Sequence, residues 1–215
     1  MKTLLLVALA PALFAAATVR DESEPRQAPI KAGALPAPGT YTLDPPHTFI
    51  VFAAQHHVVG MVRGRFDRIS GSVTVAKNPA ECAVDITVDA GSLSTQNSVR
   101  DEDLRSPDFF DVAAFPVATY RGRGIRRAGA GWVMDGSLTI RGVSKVVPLA
   151  FAFKGVAPPQ KGAPSRVAFR ATAATRRADF NMVRELLSEI GVRSARPDVW
   201  LEIDAEALAA VKPTP

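Results

Sequence analysis

The side chains of this sequence best suited to acid–base or metal chemistry are three histidines, His47, His56 and His57. An imidazole can ligate a transition metal or a haem iron through one ring nitrogen, and His47 and His56 fall on neighbouring parts of one extended stretch where a single ion could reach both. No cysteine or glutamate stands beside them at ligand spacing, so the simpler role for each is to satisfy a backbone or carboxylate group at a strand end. Two arginine–carboxylate pairs, Arg100-Asp101 and Arg177-Ala178-Asp179, could clamp a phosphate or carbonyl through paired N–H donors. They could equally neutralise themselves beside Phe109, Phe110 and Phe180. No nucleophile elbow, phosphate loop, HExxH or dinucleotide fingerprint occurs, so the motifs support no enzyme and call for no cofactor. Cys82, the one cysteine, cannot form an internal disulfide, and its place on an apolar phase suits packing.

The elements that would carry these residues are strands. Cys82, Val84, Ile86 and Val88 alternate with Ala83, Asp85, Thr87 and Asp89, which gives one apolar and one wetted face. The same period of two sets Met134, Leu138 and Ile140 against Asp135, Ser137 and Thr139. It recurs through Val147 to Phe153, Val167 to Ala173 and Val199 to Asp204. With Phe49 to Phe52, Val73 to Val75 and Val117 to Tyr120, about eight strands are expected. Lys77-Asn78-Pro79, Ala128 to Gly131 and Pro158 to Pro164 mark turns. Two segments break the rhythm. Ser98 to Arg105 reads as a short helix with Ser98 as N-cap, and Met182 to Ile190 as a second that stops at Gly191. Antiparallel strands with one apolar face must pair as two sheets or close on themselves, and periodicity is shared by both solutions. On the apolar phases stand Phe52, Ile86, Met134, Leu138, Leu149, Phe151, Phe169, Leu201 and Ile203. A filled core or a lined interior would use them alike.

The chain ends differ from this body. Met1-Lys2-Thr3, an apolar run from Leu4 to Ala10, and Ala15-Ala16-Ala17 after Pro11 have the basic, apolar and small-residue order of a secretory signal peptide over residues 1–17. Export to the periplasm is the expectation. Residues 18–40 are rich in Pro, Ala and charge without periodicity and read as a disordered linker, and residues 208–215 as a flexible tail. The folded domain is expected over 41–207. A composition 47% hydrophobic and 22% charged is that of a globular chain. The 26 basic side chains outnumber the 21 acidic ones, with the excess at Arg121, Arg123, Arg126 and Arg127. Only Tyr120 is interleaved with these arginines, so the cluster reads as a solvated turn and nucleic acid is not an expected partner.

Four segments taken together resemble the YceI-like family of periplasmic polyisoprenoid-binding proteins. The first is Leu43-Asp-Pro-Pro-His47-Thr-Phe-Ile-Val-Phe52 with His56 and Gly64-Arg-Phe66. The second is Leu93-Ser-Thr95, Arg100-Asp101, Leu104 to Asp111 with Phe109-Phe110, and Phe115-Pro116. The third is Gly136 to Lys145, and the fourth is Arg177-Ala-Asp179-Phe180. The resemblance spans about Tyr41 to Ala207. Two positions depart from it: Asp103 stands where members usually carry histidine, and Asn181 where they usually carry glycine. Asparagine tolerates a left-handed backbone, so the second change can preserve a turn.

The resemblance implies an all-β fold, a lipocalin-like antiparallel barrel of about eight strands with one or two short capping helices. It further implies an interior channel lined by the apolar residues from Phe52 to Ile203 named above. His47, His56, Arg100, Asp101, Phe109, Phe110, Arg177, Asp179 and Phe180 would then lie at its mouth. The implied ligand is a long isoprenoid, a polyprenyl species or an isoprenoid quinone, with transient contact at a membrane surface. A haem or redox partner using His47 and His56, and a structural or stress-response barrel without a ligand, are the other readings. A monomer and a dimer are both compatible with the sequence.

Overall fold

A computed structural model of the chain describes residues 33–56, 60–160, 163–182 and 199–210. The strands are β1 (Gly39–Leu43), β2 (Phe49–His56), β3 (Gly60–Phe66), β4 (Ile69–Val75), β5 (Ala83–Asp89), β6 (Leu93–Ser94), β7 (Val117–Arg123), β8 (Arg126–Ala128), β9 (Gly131–Ile140), β10 (Val143–Ala157), β11 (Arg166–Thr175) and β12 (Val199–Ala209), with helix α1 (Ser98–Arg105) between β6 and β7. Several are halves of one kinked strand. β1 and β2 both pair with β12, Leu43 facing Ala207 and Phe49 facing Asp204, and are separated by a 3-10 turn at Pro45–His47. β4 pairs with β1 and β3 with β2, while β5 and β6 run along β4 and β3. Counted this way, eight antiparallel strands follow one another around a closed barrel, β12 meeting β1 to seal it.

The alternation explains which way each strand turns its side chains. Val199, Leu201, Ile203 and Ala205 of β12 face the interior, while Trp200, Glu202 and Asp204 between them are exposed. Burial of the inward phase drives closure, and the ring closes where β12 pairs with β1 and β2. One polar group sits deep in the wall. Gly136 has no side chain to oppose the Tyr120 ring, which lies where its Cβ would be. The Tyr120 hydroxyl accepts the Gly136 N–H at 3.0 Å and points at the carbonyls of Val147 and Met134, at 3.0 and 3.1 Å.

The structure amends several expectations. The N-cap of α1 is Asn97, whose side chain accepts the Arg100 N–H at 3.0 Å; Ser98 is the first helical residue. β1 starts at Gly39, inside the segment read as linker, and β12 runs to Ala209, into the segment read as tail. The periodicity did not mark β1, β3 or β8. Residues 1–17, most of 18–40, His57 and the second expected helix beyond Met182 lie outside the described residues. The turn at Asn181 is kept: it closes the 3-10 turn Arg177–Phe180 with φ 61°, in the left-handed region.

The chain has two tyrosines, and burial raises both phenol pKa values, Tyr120 to about 12 from the ordinary 10.0. A value raised in the fold favours the protonated phenol there, so stability is complete below pH 10 and is lost as pH rises from about 10 towards about 12. Phenolate absorbance should stay low at pH 10 in the folded protein and appear at that pH after denaturation in urea. Tyr120→Phe should lower stability by about 1–3 kcal/mol in urea titration, because the Gly136 N–H loses its acceptor.

Candidate functional site

The barrel interior holds a cavity of about 380 Å³, within the ~300–1,000 Å³ typical of small-molecule sites. It runs the length of the ring. At one end stand Val75, Cys82 and Ile125, and at the other Arg100, Leu104, Phe110 and Phe180. The wall between them contains every inward residue singled out from the sequence. Phe52 comes from β2, Ile86 from β5, Met134 and Leu138 from β9, Leu149 and Phe151 from β10, Phe169 from β11, and Leu201 and Ile203 from β12. The aromatic rings pack against each other along this wall, Phe151 with Phe169 at 6.4 Å between centroids and Phe52 with Phe66 at 5.5 Å. The middle of the wall is almost wholly hydrocarbon. A guest there finds dispersion contacts and no charged partner.

Among the described residues, charge in the lining is confined to one end, where α1 and the 3-10 turn after β11 frame the mouth. The mouth is built on Thr95, which is 6% exposed. Asp101 accepts both the Thr95 N–H at 2.8 Å and its hydroxyl at 2.6 Å, while Arg100 donates to the Thr95 hydroxyl at 2.7 Å and its carbonyl at 3.0 Å. Arg105 donates to the carbonyls of Gly91 and Leu93 at 3.0 and 2.6 Å. The short helix is thus bolted to the strand before it by its own charged side chains. Phe109 and Phe110 follow it into the cavity wall, and Asp103 of the helix itself lines the cavity. Across the mouth, Asp179 takes two hydrogen bonds from Arg176, at 3.0 and 2.6 Å. Phe180 is buried beneath, and Arg177 lines the opening.

This arrangement separates the residues that the resemblance gathers at the mouth. Arg100, Phe109, Phe110, Arg177 and Phe180 line the cavity. Asp101 and Asp179 stand behind it as hydrogen-bond acceptors, and the partner of Asp179 shown here is Arg176, the neighbour of the arginine paired with it in the sequence. His47 is not at the mouth. It lies in the 3-10 turn between β1 and β2, with an exposed ring 2.7 Å from Asp44 Oδ2. Arg166 binds Asp44 and, at 2.6 Å, Glu206 on the same outer wall, and the hydrogen bond from Arg166 holds the Asp44 carboxyl below its ordinary range. Asp44, His47 and Glu206 present ligand atoms within 4.8 Å of one another, but the Arg166 guanidinium already supplies the cation between the two carboxylates. His56 ends β2, so the strand's eight residues at about 3.3 Å each hold the two histidines roughly 20 Å or more apart. One ion or haem cannot take both.

Sequence reasoning missed Arg176, Arg166 and Glu206. The spacing of Arg176 to Asp179 was visible, but the adjacent Arg177 competed for the same carboxylate. The Arg166 cluster joins three distant segments and left no local signal.

Fold and cavity together define a class: a closed, up-and-down eight-stranded barrel with one apolar internal channel whose charged groups are gathered at one end. The chain belongs to the YceI-like family, whose domain matches residues 41–207. It is 36% identical to a UPF0312 protein of Enterobacter sp. (strain 638) over 159 residues, covering 74% of this chain and 80% of that one. Among solved structures, BcnA of Burkholderia cenocepacia has the same fold at 20% identity, with a TM-score of 0.61 over 78% of this chain and 99% of the other. A domain from Saccharophagus degradans, described as polyisoprenoid-binding and implicated in plant cell wall breakdown, has the fold at 17% identity, with a TM-score of 0.59 over 79% and 98% of the two chains.

Asp101 is 7% exposed, and its loss would strand the buried N–H and hydroxyl of Thr95. Asp101→Ala should cost about 2–3 kcal/mol in chemical denaturation. Hydrogen exchange should quicken first in α1 and the residues around Thr95.

Proposed function

We propose that this protein is an exported carrier that holds one long, mainly hydrocarbon isoprenoid inside the barrel and has no catalytic role. The observation that carries the reading is the wall of the cavity: the inward side chains of the long strands are almost all apolar, and among the described residues the charged groups in the lining stand at the mouth. A guest that fills such a space must itself be hydrocarbon along most of its length, with any polar head at the charged end. Each methylene moved from water into the wall contributes about 0.8 kcal/mol. From a bilayer, where the chain is already in hydrocarbon, that gain nearly vanishes, so loading and release at a membrane are both feasible and shape decides selection. Family membership and the polyisoprenoid-binding description of the Saccharophagus degradans domain support a polyprenyl chain or an isoprenoid quinone as the guest. The signal-peptide pattern of residues 1–17 supports a periplasmic location.

The mouth end also carries exposed apolar side chains, Val99 on α1 at 77%, Met61 near the start of β3 at 41% and Trp200 near the start of β12 at 39%. These suit brief contact with a membrane surface, where Trp and aliphatic side chains reside at the boundary.

Lipid extracted from the purified protein under denaturing conditions and weighed by mass spectrometry should contain an isoprenoid in near-stoichiometric amount. A delipidated barrel that takes up neither quinone nor prenol would end the proposal. Ala171 is buried on the inward phase of β11 and lines the middle of the cavity. Ala171→Trp should fill the channel and lower co-purified lipid by about tenfold or more, at a stability change within about 1–3 kcal/mol.

A further inference from the structure

The end of the cavity opposite the mouth has a component that does not come from the barrel. Leu35 precedes β1 and stands in the cavity wall with Val75, Cys82 and Ile125. It packs against the main hydrophobic cluster. The segment around it is tied down on both sides of that leucine. Trp132 Nε1 donates to the Gly33 carbonyl at 3.2 Å, and the Tyr41 hydroxyl donates to the Ala37 carbonyl at 2.7 Å. Pro36 between them is buried. Both anchors are themselves buried aromatics, Tyr41 at 5% and Trp132 at 8% exposure, and each turns its polar tip to this segment. The Arg127 guanidinium lies 4.8 Å from the Trp132 ring centroid. It also covers Gly33, where φ is 69° and an added side chain would run into it. Hydrogen bonds, a cation–π contact and a left-handed backbone that favours glycine therefore converge on one short stretch in a region whose composition reads as linker. That stretch also lies outside the matched domain, which begins at residue 41.

We infer that residues 33–38 are a floor strap and that Leu35 sets the longest hydrocarbon chain the channel accepts. This rests on the reading of the channel as a lipid site and names the residue that fixes its capacity. A prenyl chain entering tail first from the mouth gains about fourfold in affinity for each methylene that reaches the apolar wall instead of water. Once its terminus meets Leu35, further length must fold back or remain outside, and the gain stops. Pulling the strap away would lengthen the channel without altering the mouth or the wall strands. A larger side chain at position 35 would shorten it.

The test uses the purified chain with residues 33–38 retained and three all-trans prenols, farnesol, geranylgeraniol and solanesol, competed against one another and read by native mass spectrometry. Leu35→Ala should shift the ratio of longer to shorter prenol bound upward by about tenfold, and Leu35→Trp should shift it downward by a similar factor. Gly33→Ala, which strains the left-handed backbone and pushes the Arg127 guanidinium aside with Leu35 intact, should shift the ratio in the same direction as Leu35→Ala by a smaller factor. A folding defect would instead depress all three prenols together and show as a fall in Tm, so the opposed shifts of the two Leu35 variants separate the effects. Unchanged ratios in variants that still bind prenol would overturn the role of Leu35 and leave the carrier reading standing. Failure of the unaltered chain to bind any of the three would remove both.

Discussion

Closure of the strand ring through β12 is the constraint on which the rest of the structure depends. β12 pairs along its whole length with β11 on one side, and on the other with β1 and β2 in succession. The second ladder is interrupted where the chain makes its 3-10 turn, and the interruption is covered by other bonds. Asp44 N–H reaches the Glu206 carbonyl at 2.9 Å, and the buried Thr48 hydroxyl lies 2.9 and 3.2 Å from the carbonyls of Asp44 and Glu206. Outside this seam, Arg166 ties Asp44 to Glu206. His47 belongs to this clasp. The simpler role that the sequence offers His47, satisfying a carboxylate at a strand end, is the one it takes here, in the joint that keeps the barrel shut and far from the channel mouth.

With the backbone groups of the wall spent on neighbouring strands, the interior is left to side chains alone. Around eight strands is the size at which those side chains can line a small space rather than fill it. The space persists because its walls are stiffened from within the sheet. Tyr120 spans β9 and reaches the β10 carbonyl of Val147, and aromatic pairs such as Phe153 with Phe169, 5.9 Å apart, brace β10 against β11. The same chemistry that holds the wall sets the character of a guest, since nothing in mid-channel can exchange a hydrogen bond for one lost to water. Polar recognition is displaced to the mouth, where Arg100 is already committed to Thr95 and Arg176 to Asp179. These arginines first position the helix and turn that frame the opening.

Much of the barrel was legible in the sequence because burial on one face writes itself as a period of two. Val84, Ile86 and Val88, or Leu201 and Ile203, carry that pattern cleanly, and all stand in the cavity wall. β3 did not, because Gly60 and Gly64 thin its inward phase and Met61 stands on the exposed one; Gly64 is needed where the Phe52 ring crosses the strand. β1 was hidden by its brevity, with only Tyr41 and Leu43 on its buried phase. The helix N-cap was displaced from Ser98 to Asn97 because two cap-forming residues stand side by side. Ionic partners were the least legible. The bond between Arg176 and Asp179 had a local rival in Arg177, and the Asp44, Arg166 and Glu206 cluster depends on three strands meeting. Closure itself, rather than any spacing, brings those three together.

The two ends of the channel have different origins, and this divides their physical tasks. The mouth is framed by segments inside the matched domain, α1 and the turn after β11, and its polar side chains can meet whatever head group a guest carries. The floor includes a leucine from a segment outside that domain, held by hydrogen bonds to its own backbone carbonyls at Gly33 and Ala37. Those bonds run to backbone carbonyls, so the side chain at position 35 can vary without breaking them or touching the seam and the mouth. On the carrier reading, capacity and head-group contact are thereby separable in this barrel: one falls to a single apolar side chain at the floor, the other to charged residues at the opposite end of the ring.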